Sequence, residues 1–323
     1  MKSWIPKIKK IIESKKSLLG IDEIKSLSIS KLGIGENNYN YLVKVNNQKF
    51  NFRIALRPEI EKNMKREFDM LHLVPKSLGP KPIYFNNSKK HFPKVFSILT
   101  YIEGRHLKRW QDKHITTHAK TLAKIHKKKY SFWGTITHKK KTFDLSKLLE
   151  AEIRAYRKPT PKIFQQKDMQ LLLPKIRKYV KEHNYLFTSL KKFSLCHTDP
   201  CLTNILFHKG QVKYIDWEWI SFFDPARDVA QLYYELAPQP PWYMKLDEKR
   251  KDLYLNTYLK INPDRTLKER VKTWHMVMRF TDLIFFKWKI LVYDKKTSDL
   301  PKKTYAKCNK INSEILRKEL RNH

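Results

Sequence analysis

The stretch that decides the fold is "HTDPCLTNILF" at residues 197–207, which is followed by "IDWEW" at 215–219. Between them two apolar-rich runs flank "HKGQ", whose glycine is typical of a hairpin turn. Such a hairpin brings Asn204, at its start, near Asp216, at its end. An amide oxygen and a carboxylate are hard ligands that suit Mg²⁺, which keeps several waters and takes its other ligands from phosphate. The pattern therefore predicts a magnesium site built on Asn204 and Asp216.

A second carboxylate, Asp199, lies on the loop just before Asn204. Because the metal does not require it, this carboxylate is available to accept a proton from a substrate hydroxyl. Phosphoryl transfer needs this division of labour, since its catalysis consists mostly of positioning and charge neutralisation. We therefore interpret Asp199 as a general base.

A zinc site is the main alternative for this segment, because Cys196 and Cys201 flank His197 and Asp199. However, the sequence has no second Cys/His pair with zinc-ligand spacing, and His208 falls at the hairpin turn. A plain solvent-facing turn would explain the aspartate and the asparagine singly, but not together with "IDWEW". We interpret the cysteines as small packing residues.

Length and composition indicate a globular protein of one large domain or two lobes. The chain has 323 residues, 41% hydrophobic and 13% aromatic, which is ample for a buried core. No window approaches the run of about eighteen apolar residues that a membrane-spanning helix needs. The first twenty residues lack the features of a secretory signal, and only three cysteines occur. We expect a cytoplasmic protein.

The formal net charge of +37 raises the question of a polyanionic partner. A basic surface suggests nucleic acid or anionic membrane. However, lysine greatly outnumbers arginine and is spread along nearly the whole chain, as an AT-rich genome would produce without selection for binding. We favour a solvated surface, and the polyanion-binding interpretation stays open.

Hydrophobic periodicity divides the chain into three parts. Residues 1–25 have the pattern of a basic amphipathic helix that packs on the domain or lies on an anionic membrane. Residues 26–103 are rich in strand patterns, such as the alternation over 50–56, and residues 104–323 are mainly helical. This order predicts an α+β fold with a small β-rich N-lobe and a larger helical C-lobe. Within it, we expect helices near 59–72, 144–157 and 167–182.

The motifs resemble those of the aminoglycoside phosphotransferase and choline kinase superfamily, which are protein-kinase-like enzymes that phosphorylate small molecules. "HTDPCLTN" fits H-x-D-x-x-x-x-N, and "IDWE" followed by "DPARDVA" at 224–230 fits the next two signatures. The resemblance covers roughly 30–290 and is strongest at 193–236. It implies a protein-kinase-like two-lobe fold that uses ATP and Mg²⁺, with the nucleotide on 26–103 and the catalytic loop and substrate pocket on 104–323.

The resemblance also implies roles for six residues of the C-terminal motifs. These are Asp199 as catalytic base, Asn204 and Asp216 as magnesium ligands, His197 as a structural member of the loop, Glu218 as a contact to the site or substrate, and Asp228 as the group that ties down the loop.

In the N-lobe the resemblance is less sharp. "LGIGENNYNYLVKV" resembles the family's phosphate-covering hairpin, with Gly35 and Asn38 at its key positions. The resemblance further implies that Arg53 binds nucleotide, with Arg57 as its rival, that Glu67 pairs with this arginine, and that Thr100 and Ile102 belong to an inter-lobe hinge that meets the adenine.

The small-molecule alcohol that accepts the phosphate is open. The motifs are most like the choline/ethanolamine-type kinases, whose choline-type members hold a quaternary ammonium with aromatic faces. The stretch 274–290 offers five aromatic residues, which we interpret as core rather than cage. The alternatives are an aminoglycoside or sugar kinase, or a catalytically silent kinase-fold protein that binds polyanions. The sequence also leaves the oligomeric state open.

Overall fold

The computed structural model describes residues 4–34, 37–90, 92–232, 246–294, 301–321 and 323. Its α-helices are α1 Ile5–Ser14, α2 Pro58–Leu71, α3 Asp112–Ile125, α4 Leu145–Arg157, α5 Lys167–His183, α6 Tyr185–Thr188, α7 Pro225–Ala230, α8 Glu248–Leu259, α9 Leu267–Leu291 and α10 Lys302–Glu319. Its strands are β1 Leu27–Ile34, β2 Asn38–Val45, β3 Gln48–Ala55, β4 Pro82–Asn86, β5 Phe96–Thr100, β6 Trp133–Gly134, β7 Lys139–Lys140, β8 Ser194–Cys196, β9 Ile205–His208, β10 Gln211–Tyr214 and β11 Ser221–Phe223.

The chain divides into two compact units, and the predicted α+β class is confirmed. The first unit comprises residues 1–105 together with 206–220, and the second comprises 106–205 and 221–323. The sequence-based division after residue 103 did not anticipate that 206–220 would join the first unit. The helices expected near 59–72, 144–157 and 167–182 are confirmed as α2, α4 and α5.

The first unit is built on a five-stranded antiparallel sheet in the order β1-β2-β3-β5-β4. The strand predicted over 50–56 is present as β3, where Phe50, Phe52 and Ile54 are buried. The expected alternation is only partial, because Arg53 and Ala55 on the other face of the strand are buried too. Helix α1 contributes Ile8 and Ile12 to the apolar cluster of Phe50, Phe52 and Ile54, so this helix packs on the sheet. Removing such apolar surface from water stabilises the unit by roughly 25 cal/mol per Å².

Segment 206–220 joins the first unit because its hairpin and the residues after it contact that unit directly. The hairpin turns at Lys209 and Gly210, whose φ angles of 48° and 75° are those of a tight two-residue turn. The Tyr214 backbone N–H then donates to the Leu78 carbonyl at 2.7 Å. The Trp217 ring is buried against Gly79, where a Cβ atom would lie 2.8 Å from Trp217 Nε1. Glycine at position 79 therefore makes room for the tryptophan.

The second unit is mainly helical and carries a small sheet in the order β7-β6-β11-β8. Part of its core is aromatic: the Trp274 ring lies 5.5 Å from Phe223, 5.7 Å from Phe187 and 6.2 Å from Phe143, measured between ring centroids. Among the described helices of both units, none is long and apolar enough to span a bilayer.

Candidate functional site

In the second unit, the loop after β8 is anchored on a buried carboxylate, Asp228. The backbone N–H groups of His197 and Thr198 donate to its two oxygens at 2.8 and 2.7 Å. Although burial raises it, the pKa of Asp228 is held below its ordinary value by the hydrogen bond from His126 and by the backbone N–H of His197. This anchoring fits a structural role for Asp228 beneath the loop.

The same carboxylate belongs to a buried group of potential metal ligands. Atoms of His126, Cys196 and Asp228 lie within 4.8 Å of one another. However, His126 Nδ1 lies 2.9 Å from the Tyr258 hydroxyl and Nε2 lies 3.2 Å from Asp228, while the Cys196 thiol donates to the Phe223 carbonyl. Burial raises the pKa of the Cys196 thiol well above its ordinary value, which disfavours the thiolate that a metal would need. We interpret this group as a hydrogen-bonded support for the loop.

The loop holds the carboxylate of Asp199 between two amides. Asn204 Nδ2 donates to Asp199 Oδ2 at 3.1 Å and to the Asp199 carbonyl at 2.9 Å, and Gln231 Nε2 donates to Asp199 Oδ1 at 2.9 Å. Because both hydrogens of the Asn204 amide point to Asp199, the ligand atom that Asn204 can offer a cation is its oxygen. Asp199 itself is only partly buried. A carboxylate oriented in this way can receive a proton from a group placed beside it.

Backbone strain accompanies this loop. Thr198 has a φ of +66°, a left-handed conformation that is unusual for a β-branched residue. Such strain costs on the order of 1–3 kcal/mol and persists where the surroundings over-determine it. Here the constraints are the hydrogen bonds from Thr198 N–H to Asp228 and from Arg227 Nη1 to the Thr198 carbonyl at 3.0 Å.

In the first unit, a buried ion pair joins β3 to α2. Arg53 Nη1 donates to Glu67 Oε1 at 2.5 Å, and both side chains are almost wholly buried. Arg53 Nη2 also lies 3.4 Å from Asp216 Oδ1. Although burial lowers it, the pKa of Arg53 is raised by the charges of Glu67 and Asp216. The rival Arg57 instead pairs with the exposed Glu59 on the surface.

Glu218 lies close to the same charges. Its Oε2 accepts a hydrogen bond from Asn37 Nδ2 at 2.7 Å, and its backbone carbonyl accepts one from Arg66 Nη2 at 2.8 Å. Burial and the neighbouring Asp216 carboxylate raise the pKa of Glu218 to about 8. Glu218 is therefore mostly protonated at neutral pH, and a cation bound beside Asp216 would favour its ionised form.

These residues fit the binding of a magnesium nucleotide in two respects. The Asp216 carboxylate, whose side chain is 46% exposed and which has Glu218 as a neighbour, offers oxygen ligands that suit a divalent cation. Among the described residues, the buried Nε of Arg53 has no hydrogen-bond partner, which leaves one guanidinium N–H for an external oxyanion. Asp216 has a left-handed φ of +59°, a second strained position at a motif residue.

The four remaining predicted nucleotide-binding residues of the N-lobe, Gly35, Asn38, Thr100 and Ile102, have different surroundings. Gly35 lies outside the described residues. When the Asn38 side-chain amide is turned so that its nitrogen donates to the Asn37 carbonyl, its oxygen accepts a hydrogen bond from Arg53 Nη2 at 2.9 Å. At the end of β5, the Thr100 backbone N–H donates to the Lys81 carbonyl, so it is not available to a ligand. No backbone–backbone hydrogen bond to described residues engages Ile102 two positions later.

The aromatic stretch of α9 forms core, as expected. Trp274, Phe280 and Phe286 are buried, and Trp274 Nε1 donates to Asp224 at 2.8 Å. The faces of two further rings are directed at a cation of the chain itself, because Lys289 Nζ lies 5.6 Å from the Phe285 centroid and 5.4 Å from the Trp288 centroid. These two rings therefore do not form a free cage for an external ammonium ion.

The motif residues thus fall into two groups, one in each unit. Asn38, Arg53, Glu67, Asp216 and Glu218 share the first unit, and His197, Asp199, Asn204 and Asp228 share the second. The predicted magnesium pair of Asn204 and Asp216 stays a prediction.

Sequence reasoning missed Gln231, Arg227, Asn37 and Arg66, which support these motif residues. Arg227 lies within the signature at 224–230 and Gln231 directly follows it, and this proximity was the only local signal. The other two lie more than 150 residues before Glu218, their partner.

The chain belongs to the phosphotransferase enzyme family, whose model matches residues 28–270. This match spans both units and includes every motif residue discussed above. No curated protein matches the sequence significantly.

Several solved structures share the fold. Plasmodium vivax ethanolamine kinase is 17% identical with a TM-score of 0.67, and the alignment covers 96% of this chain and 88% of that one. Choline kinase from Cryptosporidium parvum Iowa II is 17% identical with a TM-score of 0.63, covering 98% and 96%. APH(2″)-IIa, in a ternary complex with streptomycin and ATP, is 16% identical with a TM-score of 0.61, covering 95% and 97%. At these identities the similarity establishes the fold, a kinase-like α+β fold with an N-terminal antiparallel sheet and a helical C-terminal region.

Proposed function

We propose that the protein is an ATP-dependent kinase that transfers the γ-phosphoryl group to a hydroxyl of a small molecule. The observation that carries this proposal is the orientation of the Asp199 carboxylate by Asn204 and Gln231, in a loop locked on Asp228. A carboxylate fixed by two amide donors suits a base that must meet a hydroxyl in one geometry. Family membership and the ATP in the APH(2″)-IIa structure support the choice of nucleotide.

In the proposed mechanism, Asp199 orients the acceptor hydroxyl and takes its proton as the phosphoryl group is transferred. Arg53 donates to phosphate oxygens through its Nε, which has no partner in the described part of the chain, while Glu67 holds the guanidinium in place. Asn204 and Asp216 are the residues that would hold Mg²⁺, which supplies neutralisation of phosphate charge when bound. The backbone of Ile102 meets the adenine.

For the acceptor, we favour an amino alcohol of the choline/ethanolamine type that carries N–H donors, as ethanolamine does. Gln231 Oε1 is buried and has no hydrogen-bond partner among the described residues, beside the base that Gln231 orients. A buried acceptor without a partner is costly, and an N–H or O–H donor on the substrate would satisfy it. A trimethylammonium group has no such donor, and Lys289 already occupies the faces of Phe285 and Trp288.

Aminoglycosides and sugars are the second candidates, because both also carry O–H donors for Gln231. The net charge of +37 repels a polycation at long range, although salt screens this repulsion beyond about 10 Å. This effect disfavours aminoglycosides more than uncharged sugars.

The test is magnesium-dependent ATP consumption across a panel of ethanolamine, choline, sugars and aminoglycosides. We expect acceptor-dependent turnover with ethanolamine preferred to choline, and loss of turnover in Asp199→Asn. A preference for choline would contradict the role of Gln231 as an acceptor. If no compound is phosphorylated while Asp216→Ala abolishes nucleotide binding, the protein is a nucleotide-binding member of the family without this activity, and the proposal fails.

A further inference from the structure

Three lysine-rich segments of the second unit lie near one another, at 127–129, 139–141 and 191–192, and the last two contribute to one pocket. The pairing of Tyr130 with Phe193 places the first segment beside the third, and the pairing of Trp133 with Lys140 adds the second. A pocket of about 440 Å³ lies among them, which we call the lysine pocket. Its lining residues are Ser131, Lys141, Thr142, Thr188, Leu190 and Lys191.

The chemistry of the lysine pocket suits an oxyanion. Its described lining residues include two lysines, Lys141 and Lys191, and three residues that carry hydroxyl groups, while Leu190 is the single apolar one among them. Lysine Nζ is a compact charge with three donors, and hydroxyls donate to any oxygen that faces them. Phosphate offers several strong acceptor oxygens and negative charge to such a set of donors.

Around the pocket, further lysines lie over aromatic rings. Lys139 Nζ lies 4.8 Å from the Phe132 centroid, and Lys140 Nζ lies 4.7 Å from the Trp133 centroid. The rings in turn pack inward, since Phe132 lies 4.9 Å from Phe222. A face of each ring is therefore taken by a lysine, so this surface offers charge rather than free platforms for stacking bases.

Acidic residues are absent from the sequence around the first two lysine-rich segments. Residues 126–143 contain six lysines and no aspartate or glutamate, in a chain with 31 acidic residues. Lys129 is exposed like the rest, although its Nζ donates to Ser194 Oγ and partial burial lowers its pKa. The other lysines of the three segments are exposed.

We propose that the lysine pocket binds the phosphate backbone of nucleic acid, independently of base sequence. The predominance of lysine fits contacts to phosphate alone, because sequence-specific binding of guanine through two hydrogen bonds is typical of arginine. An anionic membrane fits less well, since a membrane-binding surface pairs its basic groups with several large apolar side chains. The β6–β7 turn offers one, Ile136, which is 41% exposed.

The test is fluorescence anisotropy of the full chain with labelled 20-mers of oligouridylate and oligothymidylate from 50 to 200 mM NaCl. We expect both to bind, with log K falling linearly with log salt. The double variant Lys141→Gln/Lys191→Gln should weaken binding at least fivefold at 50 mM NaCl and make the slope shallower by about 1.4, at roughly 0.7 per phosphate contact.

The matched control is Lys303→Gln/Lys307→Gln, which removes two exposed lysines four residues apart on α10. Thermal melting should show that both double variants are as folded as the wild type, and we expect the control to bind normally. Equal weakening in both would assign binding to diffuse net charge and overturn the proposal. Binding to phosphatidylserine vesicles but to neither oligonucleotide would also overturn it, in favour of a membrane. Neither outcome depends on kinase activity, since the lysine pocket shares no lining residue with the residues proposed for phosphotransfer.

Discussion

Gln231 Nε2 donates a 2.9 Å hydrogen bond to Oδ1 of Asp199, a residue 32 positions earlier in the chain. The other carboxylate oxygen of Asp199 accepts from Asn204. Each oxygen of the proposed base is therefore held by a different amide. Gln231 lies just after α7, the helix that also contributes Asp228, so one short segment both anchors the loop and orients its carboxylate.

Replacing the base should separate chemistry from nucleotide binding. We expect Asp199→Asn to lower kcat by about 10²–10⁴-fold, because the amide cannot accept the hydroxyl proton. Nucleotide affinity, measured by calorimetry, should stay close to the wild-type value. Turnover near the wild-type rate would show that Asp199 is not the base.

Gln231→Leu should affect activity more than stability. The substitution removes one hydrogen bond to Asp199 together with an acceptor, Oε1, that has no partner in the described part of the chain. Removing that unsatisfied acceptor offsets the lost hydrogen bond, so the free energy of unfolding should change by less than about 1 kcal/mol. We expect kcat to fall about tenfold, equivalent to about 1.4 kcal/mol, and the preference for ethanolamine over choline to narrow.

Gln231→Asn is the matched control for this prediction, since it keeps an amide on a shorter side chain. It should retain more of the preference for ethanolamine than Gln231→Leu. An unchanged ratio of kcat/KM for the two acceptors in Gln231→Leu would remove Gln231 from substrate recognition.

The buried ion pair of the first unit should be far more sensitive than its surface counterpart. Glu67→Ala leaves Arg53 buried without its closest partner, which should lower the free energy of unfolding by about 3–5 kcal/mol. Glu59→Ala removes the exposed partner of Arg57 and should cost less than about 1 kcal/mol. Urea denaturation of the two variants measures the difference, and similar losses would contradict the importance of burial.

Acid should destabilise the second unit through His118. Burial lowers the pKa of His118 to about 3, whereas an unfolded histidine titrates near 6.5. Between these values the unfolded chain binds a proton that the folded chain does not, so stability is present above pH 6.5 and is lost as the pH falls. The loss from this residue should approach about 4 kcal/mol at pH 3.

The measurement is urea denaturation at a series of pH values. His118→Gln should reduce the dependence of unfolding free energy on pH between 6.5 and 3. The control His72→Gln, at an exposed histidine after α2, should leave it unchanged. An acid dependence that is the same in His118→Gln and wild type would assign it to other groups.

Local patterns of the sequence predicted several of the helices and strands that the structure contains, and they singled out the motif residues. The helix periodicities over 59–72 and 144–157 correspond to α2 and α4 because an apolar stripe of period 3.6 is itself the surface that a helix buries. Likewise, the spacing of Asp199 and Asn204 places both on one loop whatever surrounds them.

Long-range packing determined the rest. Segment 206–220 belongs to the first unit because Trp217 has space against Gly79, a residue remote in sequence that no local pattern connects to it. The hydrogen bond from Gln231 to Asp199 and the formation of the lysine pocket likewise need residues that are distant in sequence to come together. The sequence by itself determined the chemical groups and their order along the chain. Only the tertiary structure decided which of them meet, because hydrogen bonds and burial act between residues that are close in space.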